Sequence, residues 1–368
     1  MYSCSDRLAA QIVGTMRYGI YLVLFILVCS TSLLSVTLIR IYYHKRSGGF
    51  DHYAAFLCNR LRLKFLTLTS AKAINTSTLI MDVRQLMNCP HRPNITQREL
   101  YRVILRSCCN ATGEMILTNQ NTKSGQKIHY ETNQKLFKTV DKKLHSMLPK
   151  DLPWSNGLLG HCAVVGSGGI LQNNSCGAEI DRADYIIRFN LSPVNNSKDV
   201  GNKTHLMTIN PSQIRSYRNL TKAPLPLANR VAAYGNASLL LPAFSYTFCT
   251  KLSLDVYHAL RPLRPNQKVV FFNPNFLLNL GRKWKGQGLK EQRLSTGLML
   301  ASVAMELCKE VHIYGFWPFS LDLNNNPLPH HYYDNVGPNK GVHSMPDEFL
   351  LLLKLHTQGV LQLHLGRC

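Results

Sequence analysis

The chain has 368 residues, 45% of them hydrophobic, enough to bury a sizeable core and too many for a disordered polymer. Its formal net charge of +22 at pH 7 favours anionic partners: nucleotide, acidic lipid, acidic glycan or nucleic acid. The basic residues are spread along the chain and form no tail, so charge alone does not select nucleic acid.

Residues 1–17 form a short tail. The stretch from Tyr18 to Ile39 carries no charge and is rich in Leu, Ile and Val. As a helix it would be about 33 Å long, enough to cross a bilayer core of about 30 Å. A cleaved signal peptide is the alternative, but the apolar run is long for one and no small-x-small cleavage site follows. We read 18–39 as an uncleaved transmembrane signal-anchor. The flanking charges, Arg17 before it and Arg40, Lys45 and Arg46 after it, do not fix its orientation. Sequons do: Asn-x-Ser/Thr begins at Asn75, Asn94, Asn110, Asn173, Asn190, Asn195, Asn202, Asn219 and Asn236, a density that suits a lumenal chain on a single-pass type II anchor. Asn190 is the weakest acceptor, because it follows a strand-like run and Pro193 closes its sequon. None of the 11 cysteines forms a CxxC pair, so disulfides are favoured over zinc ligation. Cys4 lies before the span and Cys29 within it; an odd number remains, so at least one lumenal cysteine is free or intermolecular.

Residues 40–150 read as a lumenal stem and lead-in with weak patterning, a Cys108–Cys109 pair and a polar run from Thr118 to Lys127. From there, 151–368 has the pattern of a catalytic domain. Short apolar runs predict strands at Ala163–Val165, Tyr185–Ile187, Leu206–Ile209, Leu239–Leu241, Val269–Phe272, Val311–Tyr314 and Val360–Leu365. Helical spacing covers Thr296–Lys309 and Asp347–Thr357, with Gly359 as a stop. Strands alternating with helices predict an α/β fold with a mostly parallel sheet flanked by helices. Ligands of such sheets bind beyond the carboxyl ends of the strands.

Gly166-Ser167-Gly168-Gly169 directly follows the first of these strands. Such a loop lets backbone N–H groups approach an anion, or it is only a tight turn; the spacing is not that of a dinucleotide fingerprint. Ser295 before Thr296 reads as a plain helix N-cap, and Trp317 alone reads as core.

Four longer motifs occur in order. HCAVVGSGGILQNNSCGAEIDRADYIIRFNLSPVNNSKDV (His161–Val200) resembles the large sialylmotif of animal sialyltransferases, and RLSTGLMLASVAMELCKEVHIYGFWPF (Arg293–Phe319) the small one. His331-Tyr332-Tyr333-Asp334 is similar to the third motif, and HSMPDE (His343–Glu348) to the very small motif. HHYYDN with GFWPF, and the terminal Cys368, resemble the α-2,8 branch of glycosyltransferase family 29. The resemblance implies a GT-A-like, Rossmann-type, inverting transferase of the Golgi membrane with a lumenal catalytic domain. Its donor would be CMP-sialic acid and its acceptor a sialylated glycan, with a ganglioside ahead of a glycoprotein chain. It implies no cofactor and no metal, in keeping with the absence of any Asp-x-Asp pair from the chain. Partners would be the membrane, donor and acceptor, with room for a homo-oligomer and none for nucleic acid.

Residue by residue, the resemblance implies nucleotide contacts from Ser167, Gly168, Asn190 and Asn210. Ser295, Thr296 and Gly297 would hold the sialyl carboxylate, and Trp317 would pack along the donor. His343 would be the general base, His331 a donor to the departing phosphate, and Glu348 a loop orienter or helix cap. It also implies disulfides Cys162–Cys308 and Cys176–Cys368. Two positions depart from the pattern: Ser167 stands where the family usually has Asn, and Phe189 where it usually has Cys. A basic stretch (Arg261, Arg264, Lys268, Arg282, Lys283, Lys285, Lys290, Arg293) reads as a solvated face or as a surface for a sialylated acceptor. Two other functions remain to be separated: a catalytically inactive sialoglycan-binding relative, and a membrane-tethered polyanion binder.

Overall fold

The computed structural model describes residues 28–37, 53–154, 157–217, 219–290, 293–337 and 344–368. The chain divides into Met1–Arg60 and Leu61–Cys368. In the first unit residues 28–37 are helical, with Val28, Leu33, Leu34 and Val36 exposed. The rest of the expected anchor at 18–39 lies outside the described residues, and among those no helix is long and apolar enough to cross a membrane.

The second unit takes in residues 61–150, which the sequence assigned to stem and lead-in. Among the helices there are α1 (Thr76–Met87) and α2 (Ile95–Cys108). Each starts at an asparagine that caps it: Asn75 Oδ1 accepts the Ser77 N–H at 2.9 Å and Asn94 Oδ1 the Gln97 N–H at 3.1 Å. Their patterning was faint for a physical reason. In α2 only Arg102 and Leu105 are buried, so the helix shows little periodicity although it is packed. An antiparallel hairpin follows, β1 (Lys127–Tyr130) and β2 (Asn133–Thr139).

The remaining strands form one parallel sheet. They are β3 (Leu159–Val165), β4 (Tyr185–Arg188), β5 (Leu206–Thr208), β6 (Ser238–Leu241), β7 (Val269–Phe271), β8 (Cys308–Tyr314) and β9 (Gln362–His364). Their order across the sheet is β7-β6-β5-β4-β3-β8-β9. β4 to β7 are buried at every position, which is what a sheet covered on both faces requires and why these segments read as unbroken apolar runs. The longer helices between them are α3 (Leu225–Ala232), α4 (Thr247–Leu260), α5 (Pro274–Gly286), α6 (Thr296–Leu307) and α7 (Met345–Thr357). α6 is buried from Leu298 to Leu307 and is the helix at the centre of the unit. It stops two residues before the expected Lys309, because Cys308 already opens β8 and is bonded to Cys162 of β3.

Candidate active site

The site follows from the order of the strands. From β3 the chain steps outward to β7, then returns to the other side of β3 with β8. The direction therefore reverses between β3 and β8, and the loops at their carboxyl ends part around a crevice where parallel sheets bind ligands. The glycine loop lies there. Gly166 N–H donates to the Tyr314 carbonyl at 2.7 Å and Gly168 N–H to the Gly315 carbonyl at 2.9 Å. A Cβ on Gly166 or Gly168 would sit 2.5 or 2.7 Å from the Gly315 oxygen, so both glycines are demanded by the approach of two backbones. One ring then joins three of the predicted segments. Phe316 packs edge-on against Phe189, the neighbour of Asn190, at 6.0 Å between centroids. Its ring would also lie 2.7 Å from a Cβ on Gly297 and 3.0 Å from one on Gly166.

His331 is brought to the same loop. It forms an antiparallel bridge with Gly168, and the Tyr332 N–H donates to the Ser167 carbonyl at 2.9 Å. The His331 ring stacks on Tyr333, and its Nδ1 is 2.7 Å from Asp334 Oδ1. Burial alone would raise the Asp334 carboxyl, but the Val336 N–H and the His331 ring outweigh it and hold it below the usual range. An ionised carboxylate only accepts, so His331 Nδ1 carries the proton in this bond and Nε2 is the nitrogen left to meet a ligand.

Asn190 has a left-handed backbone (φ 54°), and its N–H donates to Thr208 Oγ1 at 3.2 Å, tying the end of β4 to β5. Asn210 follows β5 as the cap of the short helix Pro211–Ser216, its Oδ1 accepting from Gln213 N–H at 3.0 Å. Ser295 caps α6, with Oγ accepting the Leu298 N–H at 3.1 Å. Thr296 and Gly297 form the first turn of that helix, at the positive end of its dipole. Glu348, 3% exposed, accepts the Ser295 N–H on Oε1 at 2.8 Å and the Ser295 O–H on Oε2. These contacts brace the N-cap of α6, a role beyond the two expected for Glu348, orienting its loop or capping the helix that follows. Trp317 is buried against Phe319 and Phe349, and its indole N–H donates to the Leu321 carbonyl at 2.7 Å. These are the contacts of a core residue. His343 lies outside the described residues; Ser344, which follows it, anchors α7 by donating to Asp347 Oδ2 at 2.8 Å.

Residues 112–360 match the family model of glycosyltransferase family 29, the sialyltransferases. The chain belongs to that family. It is 40% identical to Alpha-2,8-sialyltransferase 8F of Mus musculus over 315 residues, which is 84% of this chain and 79% of that protein. It is 37% identical to Alpha-2,8-sialyltransferase 8E of Homo sapiens over 356 residues, 94% of each. It is 43% identical over 280 residues to the Alpha-N-acetylneuraminide alpha-2,8-sialyltransferase of Xenopus tropicalis, covering 75% of this chain and 81% of that one. A crystal structure of a mammalian sialyltransferase in complex with Gal-beta-1-3GalNAc-ortho-nitrophenol is 22% identical, with a TM-score of 0.47 over 76% of this chain and 99% of that one.

In this sialyltransferase both implied disulfides are present, Cys162–Cys308 and Cys176–Cys368, together with a bond between adjacent Cys108 and Cys109. Cys249 is a buried free thiol, which meets the expectation of an odd cysteine. Phe189 is buried, so the departure there is one of packing. The Ser167 carbonyl accepts the Tyr332 N–H, a partner the sequence did not suggest. Phe316, Asp334 and Thr208 were missed as well; of these only Asp334, three residues after His331, left a signal in the spacing. The basic stretch is partly structural. Arg293 is held by Glu131 at 2.8 and 3.1 Å, and Arg264 donates to the Gly235 carbonyl at 2.8 Å.

Proposed function

We propose that this chain transfers sialic acid from CMP-sialic acid to a sialylated acceptor and forms an α-2,8 bond. The observation that carries the reading is the crevice between β3 and β8, where Gly168 is bridged to His331 within a chain of this family. The printed names of its relatives supply the linkage. CMP presents a single phosphate, which fits a neutral loop, a helix N-terminus and one imidazole. His331 Nε2 would donate to that phosphate as its charge grows. His343 would take the proton from the acceptor hydroxyl. The hydroxyl oxygen bonds the anomeric carbon as the bond to the phosphate oxygen breaks, and CMP leaves with that electron pair. A β-linked donor thus gives an α product, and no step calls for a metal or cofactor.

The acceptor we favour is a ganglioside, with a glycoprotein glycan second. We place the protein in the Golgi membrane, type II, anchored by 18–39 with its catalytic domain in the lumen. The exposed apolar side chains of helix 28–37 support the anchor. Every sequon asparagine except Asn190 is exposed, which supports the lumenal side.

The test incubates the purified full-length protein with labelled CMP-sialic acid, with and without EDTA, and a panel of sialylated glycolipids and glycoproteins. We expect chelator-insensitive transfer, α-2,8 linkage, and a fall of about 10²–10⁴ in rate for His343→Ala. Transfer to no acceptor, or another linkage, would refute the reading.

A further inference from the structure

Outside the crevice, three elements bring metal-binding side chains together. Glu179 lies on the short helix Gly177–Ile180, His312 on β8 and His364 on β9. One ligand atom from each lies within 4.8 Å of the others. His312 Nδ1 is 3.0 Å from His364 Nε2, and His364 Nδ1 is 3.5 Å from Glu179 Oε1. In a tetrahedral zinc site with bonds of about 2.0–2.1 Å, neighbouring ligand atoms are about 3.3 Å apart. The two printed separations, 3.0 and 3.5 Å, bracket that value. His364 can offer only one of its nitrogens, so closure takes a small rotation of its ring.

We propose that Glu179, His312 and His364 bind one divalent cation of the zinc class, as a brace for the last strand and not as a catalytic ion. The donor set, two imidazoles and a carboxylate, is one that zinc accepts, and all three groups are partly or wholly withdrawn from solvent. Tyr314 Oη donates to Glu179 Oε1 at 2.7 Å and so orients the carboxylate from behind, as outer partners of metal ligands do. The His161 ring, on β3, lies 4.1 Å from that of His312, and its Nε2 is buried without a hydrogen-bond partner among the described residues. It is the nearest candidate for a fourth ligand. The site would clamp β8, β9 and the Gly177 helix beside the Cys176–Cys368 bond. None of its ligands belongs to the glycine loop or to α6.

The test uses the full-length protein in detergent, stripped with dipicolinate and titrated with zinc or cobalt chloride. We expect one tightly held zinc per chain after gel filtration, a rise in the thermal midpoint, and cobalt absorption bands of tetrahedral intensity. His364→Gln and Glu179→Gln, with folding checked by circular dichroism, should each weaken zinc at least about 10-fold and lose the cobalt bands. His129→Gln, on β1 of the hairpin, should change neither. Transfer at 25 °C should be the same stripped or loaded, which separates this site from the failure of the transfer reading itself. Substoichiometric zinc in the wild type, or equal zinc in both site variants, would overturn the proposal.

Discussion

Replacing Glu348 by alanine tests whether the very small motif acts through the helix it supports. The carboxylate is buried and holds both the N–H and the O–H of Ser295, while Ser295 Oγ caps α6 at Leu298. A buried donor left without its acceptor costs about 1–3 kcal/mol, and Glu348 serves two such donors. We therefore expect Glu348→Ala to lose about 3–5 kcal/mol. At about 2 °C per kcal/mol for a unit of this size, the thermal midpoint should fall by about 6–10 °C. Glu348→Gln keeps an acceptor for the Ser295 N–H but sets an –NH2 where the Ser295 O–H had an acceptor, so about 1–2 kcal/mol should go. Scanning calorimetry reads the stability; steady-state kinetics on CMP-sialic acid reads the consequence. If the Ser295 turn contacts the donor, Glu348→Ala raises KM for the donor as well as lowering kcat. A midpoint that moves by less than about 2 °C, or a fall in kcat at unchanged KM, would show that the carboxylate braces nothing at α6 and acts on the acceptor side alone.

Three further outcomes can be checked directly. Asp334→Asn replaces the acceptor-only carboxylate with an amide that can also donate, which frees the His331 tautomer and should slow transfer about 10-fold or more at unchanged thermal midpoint; equal rates would exclude the orientation drawn above. Cys176→Ser should cost about 2–5 kcal/mol and free Cys368 for alkylation, with non-reducing peptide maps showing any other partner counting against the pairing. His356 is neutral in the fold, its pKa pushed down to about 3 by burial first and then by His91 and Arg62, while its Nδ1 accepts the Leu363 N–H at 3.2 Å. An unfolded histidine titrates near 6.5, so this group's contribution is complete above that pH and is lost as pH falls toward 3. Between pH 7 and 5.5 it should remove about 1.4 kcal/mol, a loss that His356→Gln abolishes in urea titrations at the two pH values.

The sheet was legible because its strands are covered on both faces, so each appears as a compact apolar run bounded by Gly, Asn or Pro. The helices of residues 61–150 were not legible, because α2 shows the core little more than Leu105 and a long charged side chain, Arg102. An arginine whose head is buried, as here against the Cys308 carbonyl, looks in sequence like a solvent-facing one. Ser295 and Glu348 show the same limit in the site. Each was assigned a role in its own motif, yet they form one unit across 53 residues. Spacing rules see contacts within a turn, such as His331 to Asp334, and miss those made by the return of the chain.

The glycine loop shows how a motif and its chemistry come apart. Gly166, Gly168 and Gly169 suggest space left for a phosphate. A Cβ on them would instead strike the backbones of Gly315 and Pro329, at 2.5, 2.7 and 2.1 Å. Their lack of side chains is thus already spent on seating β3 against β8 and against the segment that carries His331. Substituting them would disrupt folding and catalysis together and could not separate the two. Ser167 is the informative position, because its carbonyl holds the Tyr332 N–H at 2.9 Å while its side chain is not among the groups that seat the strands. The loop's hold on the His331 segment runs through the backbone, at Ser167 and at the Gly168 bridge. A change of the Ser167 side chain therefore leaves that hold in place and reads the donor contact alone.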